Sequence, residues 1–249
     1  MFASRARRDG ANVVVDVAFT DRWGGVSTGE RASLDLSAAP DSEADSAANW
    51  SRLTVAFGVD SVVSMRQVHG ADVVRVHDGD QPPPTCDALV TSTVGLALCV
   101  RAADCVPVVL ADADAGVVGV AHAGRRGIAA GLLSAAARTM RAAGASRIEA
   151  WTGPHICGGC YEVPAELRRE VSAGTPAAFC CTTEGTSSLD LGAAAVAQLV
   201  AAGCIPIDHP APCTREDENL FSYRRQGADS GRLAGLVVLR EAGAPPARA

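Results

Sequence analysis

A series of short apolar runs in the first half of the chain most constrains its fold. Turn residues bound each run, and every run is too short for an ordinary helix, so the series predicts a β-sheet. The proline stretch at Gln81–Pro84 fits neither a helix nor a central strand and predicts a loop. The predicted strands are Val62–Val68, Val73–Val76, Ala88–Thr91, Leu96–Arg101, Val106–Ala111 and Val117–Ala121.

Helical patterns flank this central region. The clearest carries Ile128, Leu132, Leu133, Ala136 and Met140 on one stripe. The predicted helices are Ser42–Phe57, Ile128–Ala143, Pro164–Ser172 and Leu189–Ala202, and further strands are predicted at Val13–Phe19, Ile148–Trp151 and Leu236–Leu239. This mixture predicts an α/β or α+β class. We expect a single domain over residues 1–249, with loose ends near residues 1–10 and 243–249.

The composition excludes several chemistries. All 22 basic residues are arginine, so Schiff-base enzymes and phosphate loops that depend on lysine are excluded. The net charge is −6 and the arginines are scattered along the sequence, so the sequence does not indicate a basic surface for binding nucleic acid. We expect neither a signal peptide nor a membrane span, because charged residues interrupt every apolar stretch. The nine cysteines are then expected to be reduced, in a cytoplasmic protein.

Three side chains at the ends of predicted strands could carry chemistry: His69, Cys105 and His122. Two histidines and a cysteine suit zinc and would leave a fourth position open, as in catalytic sites. The same residues also fit a Cys–His nucleophile pair. Their long spacing matches no short metal motif, so it does not predict that they converge, and each could equally be an ordinary polar residue at a strand end.

Three other stretches are rich in candidate ligands. Gly124–Gly127 places two arginines before a helix, where backbone N–H groups and guanidiniums suit an anion, although solvated arginines fit equally. Phe221–Arg225, with Gly231–Arg232, fits a nucleobase and phosphate pocket or a surface cation–π cluster. Cys157 and Cys160 form a C-x₂-C pair with no second cysteine pair in evidence, so we assign it a structural role.

Ordered motifs across the chain give a more specific signal. They are Phe19–Ser27, Gln67–Gly70, Cys86–Thr91, Ala103–Pro107, His122–Gly124, Gly153–Ile156, Tyr161–Val163, Cys213–Thr214, Phe221–Arg225 and Gly231–Arg232. Together they closely resemble the family formerly called polyphenol oxidase or laccase domain proteins, now described as multifunctional purine nucleoside phosphorylases. The resemblance runs from about Val13 to Leu239.

The resemblance implies a single domain with mixed β-sheets sandwiched by helices, in α/β/β/α layers. It implies a zinc ion held by His69, Cys105 and His122. The implied activities are phosphorolysis of adenosine, inosine, guanosine and methylthioadenosine, and deamination of adenosine. Some bacterial relatives are also linked to peptidoglycan editing. A multicopper oxidase would need more than the five histidines present, so copper is expected only as an adventitious metal. Arg125 stands where the family often has tryptophan, which bears on base preference.

We therefore hypothesise a zinc site that serves two reactions on purine nucleosides, with inorganic phosphate as co-substrate. Cys105, Asp104 and Arg126 are the predicted catalytic residues; Asp104 is the candidate proton carrier or a partner of a ligand histidine, and Arg126 anchors phosphate. Arg22, Arg224 and Arg225 are the predicted substrate-binding residues. The alternatives are a cysteine hydrolase that acts on cell-wall peptides and a non-enzymatic editing factor that binds peptidoglycan precursors.

Overall fold

The computed structural model describes residues 1–37, 43–79 and 81–243. The strands are β1 (Phe2–Asp9), β2 (Val13–Thr20), β3 (Val62–Val63), β4 (Val73–Arg75), β5 (Ala88–Thr91), β6 (Ala97–Ala102), β7 (Val106–Asp112), β8 (Val117–Ala123), β9 (Glu149–Thr152), β10 (Phe179–Cys181), β11 (Ser187–Leu189), β12 (Ile205–Pro206) and β13 (Leu233–Glu241). The helices are α1 (Glu43–Phe57), α2 (Arg125–Ala129), α3 (Leu132–Ala142), α4 (Ala165–Gly174), α5 (Leu191–Ala201) and α6 (Tyr223–Gln226).

Two mixed sheets form the centre of the molecule. The first has the strand order β1-β2-β13-β6-β3 and the second β12-β9-β7-β8-β5-β4, while β10 and β11 form a separate pair. Most neighbours are antiparallel; the edge strands β3, β4 and β12 pair in parallel. The mixed α/β class that the apolar runs predicted is therefore confirmed.

The buried side chains form three main layers of core. Leu98 and Val237 of the first sheet pack with Val109, Val120 and Trp151 of the second. Helix α1 covers the other face of the first sheet, and α3 and α5 cover the other face of the second. The α/β/β/α layering is thus a direct consequence of two sheets that are apolar on both faces.

The structure corrects several element boundaries. The helix predicted over Ile128–Ala143 is two helices, because Gly131 adopts a φ of +82° between them. The strand predicted over Val62–Val68 keeps only Val62–Val63. The helix predicted from Leu189 begins at Leu191, where the Asp190 carboxylate accepts the N–H of Ala193 at 2.8 Å.

The chain ends also differ from expectation. The first ten residues were expected to be loose, but residues 2–9 form β1, which pairs with β2 along its length. Residues 244–249 of the other predicted loose end lie outside the described residues. Within the ranges that are described, no helix combines the length and apolar character needed to cross a membrane.

Candidate metal centre and adjoining cleft

Three side chains converge at one end of the two central strands of the second sheet. One ligand atom each from His69, Cys105 and His122 lies within 4.8 Å of the others, and Cys105 Sγ is 3.8 Å from His69 Nε2. His122 belongs to β8, Cys105 directly precedes β7, and His69 lies in the loop after β3. The predicted ligand residues are therefore brought together, as a group that could hold a metal ion.

The loop that carries His69 is held by side-chain hydrogen bonds in place of a strand ladder. The Gln67 amide donates to the carbonyl of Arg101 at 2.8 Å and accepts the Arg101 N–H at 2.9 Å. His69 itself has a φ of +61° and Asp104 one of +88°. Such left-handed backbone is costly for residues other than glycine, and it persists only where the surroundings enforce it.

The carboxylate that organises this set is Asp87, which is fully buried. It accepts backbone N–H groups from Val68 at 3.2 Å, His69 at 2.9 Å and Gly70 at 2.7 Å, and His122 Nδ1 lies 2.9 Å from its Oδ1. This contact leaves His122 Nε2 free to face an ion, and outer carboxylates of this kind orient metal-binding histidines. The sequence hypothesis offered Asp104 as a partner of a ligand histidine; for His122, that partner is Asp87.

The electrostatics of the set favour a thiolate. Burial acts to raise the pKa of Cys105, but hydrogen bonds and positive charge from His122 and His69 outweigh it and lower this pKa to about 6. Burial lowers the pKa of His122, yet Asp87 and Cys105 raise it overall to about 9. Burial also opposes the ionisation of Asp87, but the hydrogen bonds from His122 and the loop hold its pKa below the usual value. A thiolate is the form of cysteine that binds metals and attacks electrophiles.

Gly124 permits the close approach of the ligands. A β-carbon at this position would lie 2.9 Å from His69 Cδ2 and 3.1 Å from Cys105 Sγ. Only glycine fits there without displacing a ligand, which gives the His122-Ala123-Gly124 motif a physical basis.

A cleft of about 570 Å³ opens beside His69 and Cys105. Its volume falls within the range of small-molecule sites. Three arginines, two tyrosines and an apolar floor surround it: the lining includes Arg125, Arg126, Arg224, Tyr161, Tyr223, Ile156, Leu191, Ala103 and Asp104. The Arg224 guanidinium lies 5.1 Å from the centre of the Tyr161 ring and donates to the carbonyl of Glu162 at 2.9 Å.

A second cavity of about 290 Å³ adjoins some of the same residues. It shares His69, Ala103 and Cys105 with the larger cleft, and His122 also borders it. Its remaining lining residues are Arg66, Gln67, Arg101, Ala102 and Arg232.

Asp104 lines the cleft and is nearly buried. Its two carboxylate oxygens accept hydrogen bonds from the Thr214 hydroxyl and from the backbone N–H of Arg224, each at 2.6 Å. Arg126 also lines the cleft and is exposed. Asp104 therefore connects the strand end before Cys105 to the start of α6.

Two of the predicted substrate-binding arginines, Arg22 and Arg225, lie outside the lining of the cleft, and their role in substrate binding stays a prediction. Arg22 donates to the carbonyls of Ala32 at 2.6 Å and Glu30 at 2.9 Å, and its guanidinium stacks on Phe221. Arg225 donates to the carbonyls of Thr214, Arg215, Asp217 and Leu220. Both guanidiniums are engaged by loop backbone, and neither lines the cleft. Arg224 does, and Arg125 joins it.

Comparison with known proteins agrees with the motifs. The chain is 50% identical over 228 residues to a purine nucleoside phosphorylase of Streptomyces coelicolor, covering 89% of this chain and 94% of that one. It is 42% identical to one of Corynebacterium glutamicum, covering 93% of this chain and 97% of that one. A crystal structure of a Neisseria meningitidis protein superposes with a TM-score of 0.83 at 30% identity, covering 95% of this chain and 99% of that one.

A fourth likeness is to the crystal structure of YlmD from Geobacillus stearothermophilus, with a TM-score of 0.81 and 30% identity over 94% of this chain and 98% of that one. The family model described as multi-copper polyphenol oxidoreductase laccase matches residues 16–240, a span that contains both sheets from β2 and every ligand of the candidate centre. From this match and its relatives, the chain belongs to that laccase-like family.

Proposed function

We propose that this protein is a zinc-dependent purine nucleoside phosphorylase. The observation that carries the proposal is the single cleft in which His69 and Cys105 meet three guanidiniums and two tyrosine rings. Relatives that match nearly the whole chain are named purine nucleoside phosphorylases, which supports the same reaction.

The donor set fits zinc. One thiolate and two imidazoles are ligands that zinc prefers, and three protein ligands leave one position open. Zinc bound here would act as a Lewis acid and lower the pKa of a coordinated water. Copper in a multicopper oxidase needs several histidine-rich centres, and the five histidines of this chain are too few. We therefore assign copper no role beyond adventitious binding.

One set of residues in the cleft suits the purine nucleoside and another set suits inorganic phosphate. Tyr161, Tyr223 and Leu191 offer flat and apolar surface to a purine ring. Arg126, Arg125 and Arg224 are suited to inorganic phosphate, because guanidiniums form forked hydrogen bonds with its oxygens. Phosphate held there would attack the anomeric carbon of the ribose while the C1′–N9 bond breaks and the purine leaves with a proton.

Asp104 is our candidate for supplying that proton. It borders the cleft, and its carboxyl group has lone pairs beyond the two hydrogen bonds it accepts, one of which can carry the proton that passes to the purine. An Asp104→Asn variant keeps much of the shape and loses the acid. A proton-carrying role predicts a lower kcat at unchanged KM for phosphate.

We extend the proposal to adenosine, inosine, guanosine and methylthioadenosine as substrates, to deamination of adenosine, and to a cytoplasmic location. Deamination would depend on the same zinc ligands, His69, Cys105 and His122, and would need no phosphate, so the two activities are separable by leaving phosphate out.

The test uses purified full-length protein with its zinc content measured. Incubated with adenosine and phosphate, it should release adenine and ribose 1-phosphate; without phosphate, it should release only inosine. Cys105→Ala should abolish both activities and the zinc of this site, whereas Cys181→Ala, which changes an exposed cysteine outside the centre, should retain them. Full phosphorolysis in the Cys105→Ala protein would contradict the proposal.

One observation also favours a cysteine hydrolase acting on cell-wall peptides. His122 and His69 lower the pKa of Cys105 to about 6, which favours the thiolate form of this side chain. A thiolate nucleophile requires no stoichiometric metal, so a zinc-free protein that cleaves peptidoglycan fragments and is blocked by alkylation would support this alternative. A protein that binds such fragments, and neither turns them over nor acts on adenosine, would support an editing factor.

A further inference from the structure

A second group of metal-ligand side chains lies apart from His69, Cys105 and His122. The ligand atoms of Cys157, Cys160, Cys213 and Glu216 all lie within 4.8 Å of one another. Two cysteine sulfurs bound to one zinc ion at roughly 2.3 Å are about 3.8 Å apart. Small side-chain rotations would therefore bring these four atoms around one ion.

The four ligands come from two turns of the same design. Cys157 and Cys160 are separated by two residues, and so are Cys213 and Glu216. In each turn the N–H of the later residue donates to the carbonyl of the earlier one, at 3.0 Å for Cys160 and 3.2 Å for Glu216. Structural zinc sites take their ligands from paired turns with this spacing.

Hydrogen bonds already join the two turns at the ligand atoms. The N–H of Cys157 points to Cys213 Sγ at 3.3 Å, and the Cys160 thiol donates to Glu216 Oε1 at 3.2 Å. Backbone donors to a ligand sulfur are a common outer contact of metal sites. The two turns are also linked by the bridge between His155 and Cys213.

Within the described residues, no cationic side chain is paired with this group. Among the described residues, none forms an ion pair with Glu216. The guanidinium of Arg225 lies in the same region but donates to the carbonyls of Thr214 and Arg215, each at 2.8 Å. The four ligand atoms, three sulfurs and one carboxylate oxygen, lie close together and are not paired with a cationic side chain of the described residues. Such a group suits a soft divalent cation.

We propose that Cys157, Cys160, Cys213 and Glu216 bind a structural zinc ion, distinct from the candidate catalytic centre. Binding would release the three thiol protons to solvent and form one zinc–oxygen and three zinc–sulfur bonds. The C-x₂-C pair of Cys157 and Cys160 has no second cysteine pair in the sequence; the pair that faces it is a cysteine and a glutamate, Cys213 and Glu216.

The position of this ion would stabilise one wall of the cleft. Ile156 and Tyr161, which flank the first turn, line the cleft, and Thr214 in the second turn donates to Asp104. Loss of the ion should therefore loosen the cleft without removing the ligands of the catalytic centre. These four residues would bind zinc in the same way whatever reaction the cleft performs.

Metal analysis of the full-length protein, produced in zinc-supplemented medium under reducing conditions, tests the proposal. We expect two zinc ions per chain in the wild type and one in Cys160→Ser. Cys181→Ser is the matched control, since Cys181 is an exposed cysteine outside the group, and it should retain both ions. His122→Ala should lose the other ion, and X-ray absorption of that variant should show three sulfur ligands around the zinc that remains.

A second variant covers the case in which Cys160→Ser fails to fold. Glu216 is exposed, so Glu216→Ala should fold and release its zinc to a chelator at least tenfold faster than wild type. The melting temperature of the Glu216→Ala protein should fall by roughly 5 to 15 °C when the chelator removes this zinc. Equal zinc content in the wild type and Cys160→Ser would overturn the proposal, as would an intact mass that shows a disulfide among these cysteines.

Discussion

The smallest residue in the candidate centre sets a steric limit on it. A methyl group on Gly124 would contact both His69 and Cys105. We predict that Gly124→Ala weakens metal binding roughly tenfold or more, because a ligand must move to make room. Gly174→Ala is the control, since a β-carbon there meets nothing within 4 Å. Competition with a metal indicator dye measures the affinity, and an unchanged affinity in Gly124→Ala would show that the ligands do not act as one set.

The buried carboxylate of Asp87 holds both the His69 loop and the ring of His122. In Asp87→Asn, one carboxylate oxygen becomes an N–H₂ group that faces backbone donors, so we predict a loss of about 2–4 kcal/mol in the free energy of unfolding. Metal affinity should fall roughly 10- to 100-fold as well. Urea denaturation and metal titration measure the two effects. The exposed neighbour Asp72 provides the control variant Asp72→Asn, which should change neither.

Arg125 stands where the family often has tryptophan, and the structure places it in the lining of the cleft. If the purine binds there, Arg125→Trp should lower KM for adenosine by roughly tenfold, because stacking of a base on an aromatic ring contributes about 1–3 kcal/mol. KM for phosphate should rise, since one guanidinium is lost. Arg125→Leu separates the effects: it should raise KM for phosphate without the gain for adenosine. Identical values in all three proteins would place both substrates away from this position.

At the scale of elements, Asp112 connects the end of β7 to two loops. Its carboxylate accepts N–H groups from Ala115 at 3.0 Å and from Ser146 and Arg147 at 2.7 Å each. Burial would raise the pKa of Asp112, but these hydrogen bonds outweigh it and hold the pKa below 3.8. The ionised form is therefore the one that stabilises the folded state.

A lowered pKa in the folded state means that this stabilisation is present above pH 3.8 and is lost as the pH falls through the folded-state value. We predict that Asp112→Asn is less stable than wild type by about 1–3 kcal/mol at pH 7 and that the difference shrinks below about pH 4. Chemical denaturation at a series of pH values measures it. Asp114→Asn, in the same turn but exposed, should track the wild type. A difference that is independent of pH would rule out the ionised hydrogen-bond acceptor as the cause.

The elements that the sequence predicts well are those buried on both faces. Strands β5, β7 and β8 are continuous apolar runs, so their limits lie within a residue or two of the prediction. Strand β1 carries charged residues and lies at a sheet edge, where polar side chains are common, so its pattern resembles a loose terminus. The break at Gly131 is equally hidden, because the apolar stripe continues across it and only the backbone angle changes.

At the scale of the whole molecule, β1 joins the two sheets. It pairs with β2 in the first sheet, and the Arg8 guanidinium contacts the Glu149 carboxylate of β9 in the second sheet at 2.7 Å. We predict that deletion of residues 2–9 lowers the melting temperature by roughly 5 °C or more and promotes aggregation, since β2 becomes an exposed edge. Arg8→Ala should reproduce only a small part of the shift. A deletion protein that melts like the wild type would show that the strand contributes no stability.

Convergence of distant residues is what the sequence could predict least. Cys105 and His122 lie at adjoining strand ends and His69 lies in a loop, an arrangement that their spacing does not reveal and that only the resemblance to a family implied. The role of Asp87 could not be predicted from the sequence, because its partners are mostly backbone N–H groups and these leave no side-chain motif. The one indication in the sequence is its position directly before β5, inside the Cys86–Thr91 motif. A sequence also does not reveal that the guanidiniums of Arg22 and Arg225 donate to loop carbonyls, because those partners are backbone atoms of distant residues.

His69 and Cys105 border both the larger cleft and the smaller cavity, and His122 borders the smaller one. A single cobalt ion bound by these three residues would therefore act as a spectroscopic reporter for both cavities. Its absorption should respond to a molecule that enters the larger cleft and to an anion that enters the smaller cavity. Two binding events could then be followed, and their mutual influence measured, from one atom.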